Sequence, residues 1–379
     1  MSGRKPSRRA VLAGAVTSIA LGRAARAGLN DGARAALAAS ARGFMSEHRV
    51  PGLSIAIAKD GRLVYRDAFG VADREADEAL TPDHLFRIAS ISKPLTSSAV
   101  FVLIERGRLR LDDRVFGSGG VLGTAYGTPP YAGAIDAITV EQLLTHTSGG
   151  WPNDGTDPMF RYPEWDHARL IGWTLDHLRL KTAPGTAYAY SNFGYCLLGR
   201  IIERLTGQPY ADHLHAGVLA RCRITDMRIA GNRRSDRAPR EVVYYNQGPR
   251  SPYDMNVTRM DSHGGWLATA TDLVRFSVKL SGELLAPATL TSLVTPPAAS
   301  PSYAKGWRIS SSGHRWHTGS LPGTTALLMH TTTGFCWAAL CNTRDDDHGK
   351  RALVRALDKQ LWRMVRSIKD WPAGEPLDG

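Results

Sequence analysis

Strand-forming segments lie near both ends of this chain with mainly helical sequence between them, and that order restricts the fold more than any other feature. The segment 53–73, LSIAIAKDGRLVYRDAFGVAD, reads as two strands joined at Asp60-Gly61, a strong two-residue hairpin signal. Near the other end, Lys305–Ile309, Arg315–Thr318, Thr325–His330 and Phe335–Asn342 each suit a strand. A helix is expected over 31–50. A final helix carries Leu353, Leu357, Leu361, Met364 and Ile368 on one stripe, which fits it to lie against the sheet. Between the strand groups the periodicity turns helical over 91–106, 166–180, 193–205 with Gly207 as terminator, 209–219, and 272–280 with Thr271 as its cap. Thr139 and Gln142 form a capping-box signature before a short helix, and the Gly/Pro-rich stretch 116–134 is loop. The fold class expected is α+β: an antiparallel β-sheet flanked by helices, with a mainly helical subdomain spliced in. The sheet-bearing part would cover about 28–105 and 286–379, and the insert about 106–285.

The formal net charge of +12 invites a nucleic-acid partner only if the basic residues share one folded face. Half of that charge sits on Arg4, Lys5, Arg8, Arg9, Arg23 and Arg26, in a stretch with no acid, so no nucleic-acid partner is expected. The pair Arg8-Arg9, the small apolar run 10–21 and Ala25-Arg26-Ala27 have the order of a twin-arginine signal peptide over residues 1–27. The apolar run is short of the roughly 20 residues that cross a bilayer as a helix. The expectation is export to the periplasm or medium, signal removal, and a soluble monomer over 28–379 with no stable membrane span. Cys196, Cys222, Cys336 and Cys341 show no metal or disulfide spacing and read as buried thiols. Cys336 and Cys341, five apart in one strand, point to opposite faces. No metal or other cofactor is expected: in His213-Leu214-His215 the two imidazoles sit at i and i+2 of a helix and do not face each other.

Three short motifs carry chemistry. Ser90-Ile91-Ser92-Lys93 places an amine one helical turn from a hydroxyl, about 5–6 Å apart at the β-carbons, so the amine can reach the oxygen and activate it. At a helix start, the Ser90 N–H would also form half of an oxyanion hole. Tyr190-Ser191-Asn192 supplies a phenol that shuttles protons and a carboxamide that both donates and accepts. His317-Thr318-Gly319-Ser320 falls on a strand, where Gly319 admits substrate backbone and the Ser320 N–H would complete the oxyanion hole. Each pattern has rivals. Ser302 with Lys305 starts a strand, where i and i+3 face opposite ways; Tyr244 with Asn246 has no helix behind it; His215 and His263 lack the strand.

Taken in order, S-x-x-K, Y-x-N and H-T-G resemble the serine β-lactamase and penicillin-binding protein family, which includes class C β-lactamases, DD-peptidases and esterases. The likeness extends through VPGLSIAIAKDGRLVY, ITVEQLLTHTSGG, PGTAYAYSNFGYCLLGRIIERLTG, GGWLATATDLVRF and HTGSLPG. It implies that Ser90 is acylated, that Lys93 and Tyr190 share general-base and general-acid duty, and that Asn192 orients the substrate carbonyl, with the first proton acceptor left open between Lys93 and Tyr190. Class C β-lactamases usually have lysine at the place of His317. Histidine, near pKa 6.5, is mostly neutral at pH 7, so it grips a substrate carboxylate less firmly. The expected substrates are therefore small peptides or esters, with a β-lactamase or a non-catalytic penicillin or peptidoglycan-peptide binder as alternatives. In the loop after Gly149-Gly150, Asn153 is a candidate substrate contact and Trp151 a candidate cleft wall. His146, in its His-Thr-Ser-Gly turn, reads as structural.

Overall fold

The computed structural model describes residues 29–345 and 352–377, so the stretch read as a signal peptide lies outside the described residues. Helix α1 (Asp31–His48) leads into β1 (Gly52–Lys59) and β2 (Arg62–Asp73). The hairpin turns at Asp60 and Gly61 with φ of 50° and 77°, the left-handed pair that a two-residue turn matching strand twist requires. From the other end come β8 (Arg308–Ile309), β9 (Arg315–Leu321), β10 (Thr324–His330) and β11 (Phe335–Cys341). Together with β3 (Glu78–Ala79) and β13 (Glu375–Pro376) they form one eight-stranded antiparallel sheet, in the order β13-β2-β1-β11-β10-β9-β8 with β3 on β2.

Both faces of this sheet are buried, so its central strands alternate between two apolar cores rather than between core and water. In β11, Trp337, Ala339 and Cys341 join α1 and α9 (Ala352–Ser367) on one side. Cys336, Ala338 and Leu340 face the other core, which includes α7 (Ala270–Lys279). All four cysteines are buried thiols, and Cys336 and Cys341 do lie on opposite faces.

On the α7 side, α2 (Ser92–Glu105) runs through the middle of the molecule, buried from Ser92 to Leu103. Its sequence explains this: after Lys93 it has only small, hydroxyl or apolar side chains up to Ile104, which is the pattern of a helix covered all round. The hydroxyls are satisfied internally, with Thr96 donating to the Ser262 carbonyl and Ser97 to the Lys305 carbonyl. Around α2 pack α5 (Asn192–Thr206), α6 (Tyr210–Leu214) and α8 (Pro287–Val294). Beyond these lie α3 (Val140–Leu144), with its capping box formed, and α4 (His167–His177). Three short strands, β4 (Phe86–Arg87), β5 (Arg228–Ile229) and β7 (Trp266–Ala268), form a second sheet just before α2; β6 (Tyr245–Asn246) pairs in parallel with β12 (Thr343–Arg344).

Three local expectations need correction. Helix α7 is capped by Thr269, not Thr271, because only Thr269 has an acid three residues on: its hydroxyl accepts from the Asp272 N–H while Asp272 reaches back. Strand β8 begins at Arg308 rather than Lys305, because Gly306 turns the chain at φ 87° and Lys305 points inward to Glu141 at 3.1 Å. Helix α8, opened by Pro287, was not foreseen.

Candidate active site

Strand β4 delivers the chain to a single 3-10 turn, Ala89–Ile91, and α2 starts one residue later, so Ser90 sits on the turn before the helix rather than in it. Ala89 holds φ of 47°, a conformation that costs a non-glycine residue about 1–2 kcal/mol. The turn is pressed against β9: a β-carbon on Gly319 would lie 2.0 Å from the Ile88 carbonyl oxygen. Only glycine at that position lets strand and turn approach so closely. Strand β8 pairs only with Trp316 and Arg315 of β9, so the edge from His317 onward is left to the turn and to whatever binds beside it.

Lys93 is fully buried, and its Nζ lies 3.2 Å from Ser90 Oγ, 2.7 Å from Asn192 Oδ1 and 2.9 Å from the His263 carbonyl oxygen. The last two can only accept. They take two of the nitrogen's hydrogens, and whether Lys93 is an ammonium or an amine is then decided on the side turned to the Ser90 hydroxyl. In the amine state that geometry presents a lone pair to the proton that must leave. The same Nζ stands 4.8 Å from the centroid of the Tyr190 ring.

The Tyr190 segment is held by His146, whose carbonyl accepts from the Ala189 N–H at 2.8 Å and whose Nδ1 accepts from the Ser191 N–H at 3.1 Å. The phenol's backbone is thus clamped on both sides by one residue, at φ 60°, with the rings 4.1 Å apart. Because Nδ1 accepts, the hydrogen is on Nε2 and the imidazole is neutral; burial and the nearby Lys93 hold its pKa well below the usual histidine value. Ser191 caps α5 by accepting from the Gly194 N–H, which makes Asn192 the first residue of that helix.

Of the residues singled out in the sequence, Ser90, Tyr190, His317, Ser320 and Asn153 line one cavity of about 40 Å³, together with Thr318 and Arg308. Lys93 and Asn192 lie just beneath it, and Gly319 supplies the close approach to Ile88. Trp151 is not in the lining: its indole is buried against Phe193, 4.9 Å between ring centroids. His317 is also buried; its Nδ1 donates to the Thr318 carbonyl at 2.8 Å and its Nε2 faces the Tyr303 hydroxyl at 3.1 Å.

Three of the four rival motifs are occupied elsewhere, and the fourth, at His263, lends its backbone carbonyl to Lys93. Lys305 is paired with Glu141, Tyr244 donates to Glu241 at 2.8 Å, and His215 packs on Trp266. Among the described residues no group of His, Cys, Asp and Glu has the arrangement of a metal site. Three participants had no motif to announce them: the His263 carbonyl, Arg308 in the cavity, and Asp157 behind Asn192; His146, read as structural from its turn, holds the Tyr190 backbone. A signal existed for Arg308 alone, since a residue on the strand before His-Thr-Gly falls beside it once the two strands pair.

Residues 37–360 match the family described as Beta-lactamase, and the chain belongs to that family. It is 34% identical to esterase EstB of Burkholderia gladioli over 56% of this chain and 54% of that protein, so the match spans about half of that relative's length. It is 24% identical to penicillin-binding protein 4* of Bacillus subtilis (strain 168), over 86% of this chain and 76% of that protein. Among solved structures, D-amino acid amidase from Ochrobactrum anthropi SV3 complexed with L-phenylalanine superposes with a TM-score of 0.73 at 25% identity, covering 88% of this chain and 99% of the amidase.

Proposed function

We propose that this protein is a serine hydrolase that forms an acyl-enzyme on Ser90 and cleaves amide or ester bonds of small peptide-like or ester substrates. The observation that carries the reading is the buried Lys93 amine 3.2 Å from the Ser90 hydroxyl, with its other hydrogens engaged by Asn192 and the His263 carbonyl. In this scheme Ser90 Oγ attacks the substrate carbonyl carbon as its proton passes to the Lys93–Tyr190 pair. The Ser90 and Ser320 N–H groups stabilise the oxyanion, and the leaving amine or alkoxide takes the proton back. Water then repeats the sequence on the acyl-enzyme, releasing acid and restoring Ser90. Lys93 and Tyr190 act as one coupled unit.

Arg308 bears on the substrate. Among the described residues no carboxylate forms an ion pair with it, its guanidinium lies 5.4 Å from the Trp316 ring centroid, and it borders the cavity that holds Ser90. A permanent cation at that place favours substrates with a carboxylate near the scissile bond, such as a short peptide with a free C-terminus. That role was not available to His317, whose two ring nitrogens already face Thr318 and Tyr303. Export by the twin-arginine route, with residues 1–27 removed, to the periplasm or medium belongs to the same proposal, as does a monomeric state. Among the described residues no helix is long and apolar enough to cross a membrane.

The test is to incubate purified protein with a fluorescent penicillin and with p-nitrophenyl esters, following bound label and released product. Ser90→Ala is expected to abolish both; turnover that survives in Ser90→Ala removes the assignment. A stoichiometric burst with no turnover would favour the binding-protein alternative.

A further inference from the structure

Behind Asn192, on the side away from Lys93, stands a carboxylate that the scheme above does not use. Asp157 is buried, and its two oxygens have separate tasks. Oδ1 accepts from the Met159 N–H at 2.9 Å and caps the short turn Pro158–Phe160; Oδ2 accepts from Asn192 Nδ2 at 2.8 Å. A carboxamide has one donating and one accepting end, and which end faces Lys93 matters. With Oδ1 toward the amine, Asn192 takes a hydrogen from Nζ; turned over, its NH2 would claim the Lys93 lone pair and leave none for Ser90. An ionised carboxylate can only accept, so it permits one of the two orientations.

We propose that Asp157 is a positioning residue for acylation: its carboxylate fixes the polarity of the Asn192 carboxamide, so that the Lys93 lone pair is directed at Ser90. The inference rests on the reading of Ser90 as nucleophile. The relay runs from Asp157 Oδ2 to Asn192 Nδ2, from Asn192 Oδ1 to Lys93 Nζ, and from Lys93 Nζ to Ser90 Oγ, with each contact at 3.2 Å or less. No covalent bond changes in it; only the direction of hydrogen bonding is set.

Protonation would undo the arrangement, because a neutral carboxyl can donate as well as accept and so tolerates the reversed amide. Burial pushes the Asp157 carboxyl up to about 6, against the hydrogen bonds from Met159 and Asn192. The charges around it are few. Lys93 approaches from α2, Asp154 from its own loop, and Arg259 holds the Met159 and Arg161 carbonyls from the segment before β7. From α4, His167 is turned to the Arg259 carbonyl and Asp261, while Arg169 lies over Trp165. Buried His263 is held neutral beside Lys93.

The decisive variant is Asp157→Asn, which keeps an oxygen for the Met159 N–H but then turns an NH2 donor toward Asn192 and so favours the reversed amide. Two readouts are followed from pH 4.5 to 8. One is the second-order rate of Ser90 labelling by fluorescent penicillin; the other is the Asn192 side-chain amide signal in nitrogen-15 NMR, identified by its absence in Asn192→Ala. Wild-type protein is expected to show both readouts inflecting near pH 6. Asp157→Asn should lose that inflection and label roughly 10- to 100-fold more slowly at pH 7.5, part of what a general base contributes. Asp157→Ser, whose hydroxyl can still cap Met159 but cannot reach Asn192, should behave alike, with circular dichroism confirming that it is folded. Folded Asp157 variants that keep the wild-type rate and acid limb overturn the inference alone. A wild-type protein that takes no label, with ester turnover that survives in Ser90→Ala, overturns the reading beneath it as well, and the NMR arm then still reports whether Asp157 and Asn192 are linked.

Discussion

In the proposed reading, charge recognition falls to Arg308 rather than to His317. The histidine is packed between Tyr303 and its own neighbour's carbonyl, whereas the guanidinium borders the cavity beside Ser90. Charge recognition should therefore follow Arg308. Arg308→Met, which keeps much of the stem, is expected to lower kcat/KM roughly 10- to 100-fold for substrates with a carboxylate beside the scissile bond. Turnover of p-nitrophenyl acetate should stay within about twofold. The size is that of one charge-assisted hydrogen bond, about 1.5–3 kcal/mol. Equal losses on both substrates in a comparison of kinetic constants would mean that the arginine supports the fold of β8 instead.

Strand β9 and the Ser90 turn approach as closely as they do because Gly319 has no side chain. Gly319→Ala must move either the Ile88 carbonyl or the strand, and forced overpacking of this kind costs about 1–3 kcal/mol. Thermal unfolding should show that loss, and labelling of Ser90 should slow at least tenfold, since the displaced turn carries Ser90 itself. The elements themselves were largely legible. The Asp60-Gly61 hairpin, the Thr139 box and the Gly207 terminator are local signals, and each appears where its residues stand. The motifs around Ser90, Tyr190 and His317 were legible through a resemblance and through the type of element each sits on. What stayed hidden depends on packing between segments far apart in sequence. Nothing in Asp157-Pro158 announces that α5 will bring Asn192 against it, and nothing in His146 foretells that it will grip both neighbours of Tyr190. The Thr271 cap failed for a different reason: two threonines competed, and the acid three residues beyond Thr269 decided between them.

Across the molecule, burial of titratable groups sets the pH response. Buried His146 and His263 and partly buried His330 are held below the ordinary histidine value, His330 at about 3, by desolvation first and then by nearby cations. A group whose folded pKa is depressed binds its proton more readily in the unfolded chain. For these histidines stability is complete above about pH 6.5 and falls as the solution is acidified, by up to about 1.4 kcal/mol per pH unit for each. Asp157 works in the opposite sense between its unfolded value of about 3.9 and about 6, as do the raised carboxyls of Glu241, Asp272 and Asp358, while His213 and His215, also lowered, add to the histidine side, whose unfolded value near 6.5 falls between pH 7 and pH 5. Urea midpoints should therefore drop between pH 7 and pH 5, and His330→Gln should shrink the drop; an unchanged midpoint would contradict it. The position of Lys93 has a consequence at this same scale. Its hydroxyl partner rides on a turn braced by the sheet, while Asn192 and the His263 carbonyl come from the helical side. The chemistry is thus assembled across a seam, so a slight parting of the two sides would silence the protein while nearly all of its secondary structure was still intact.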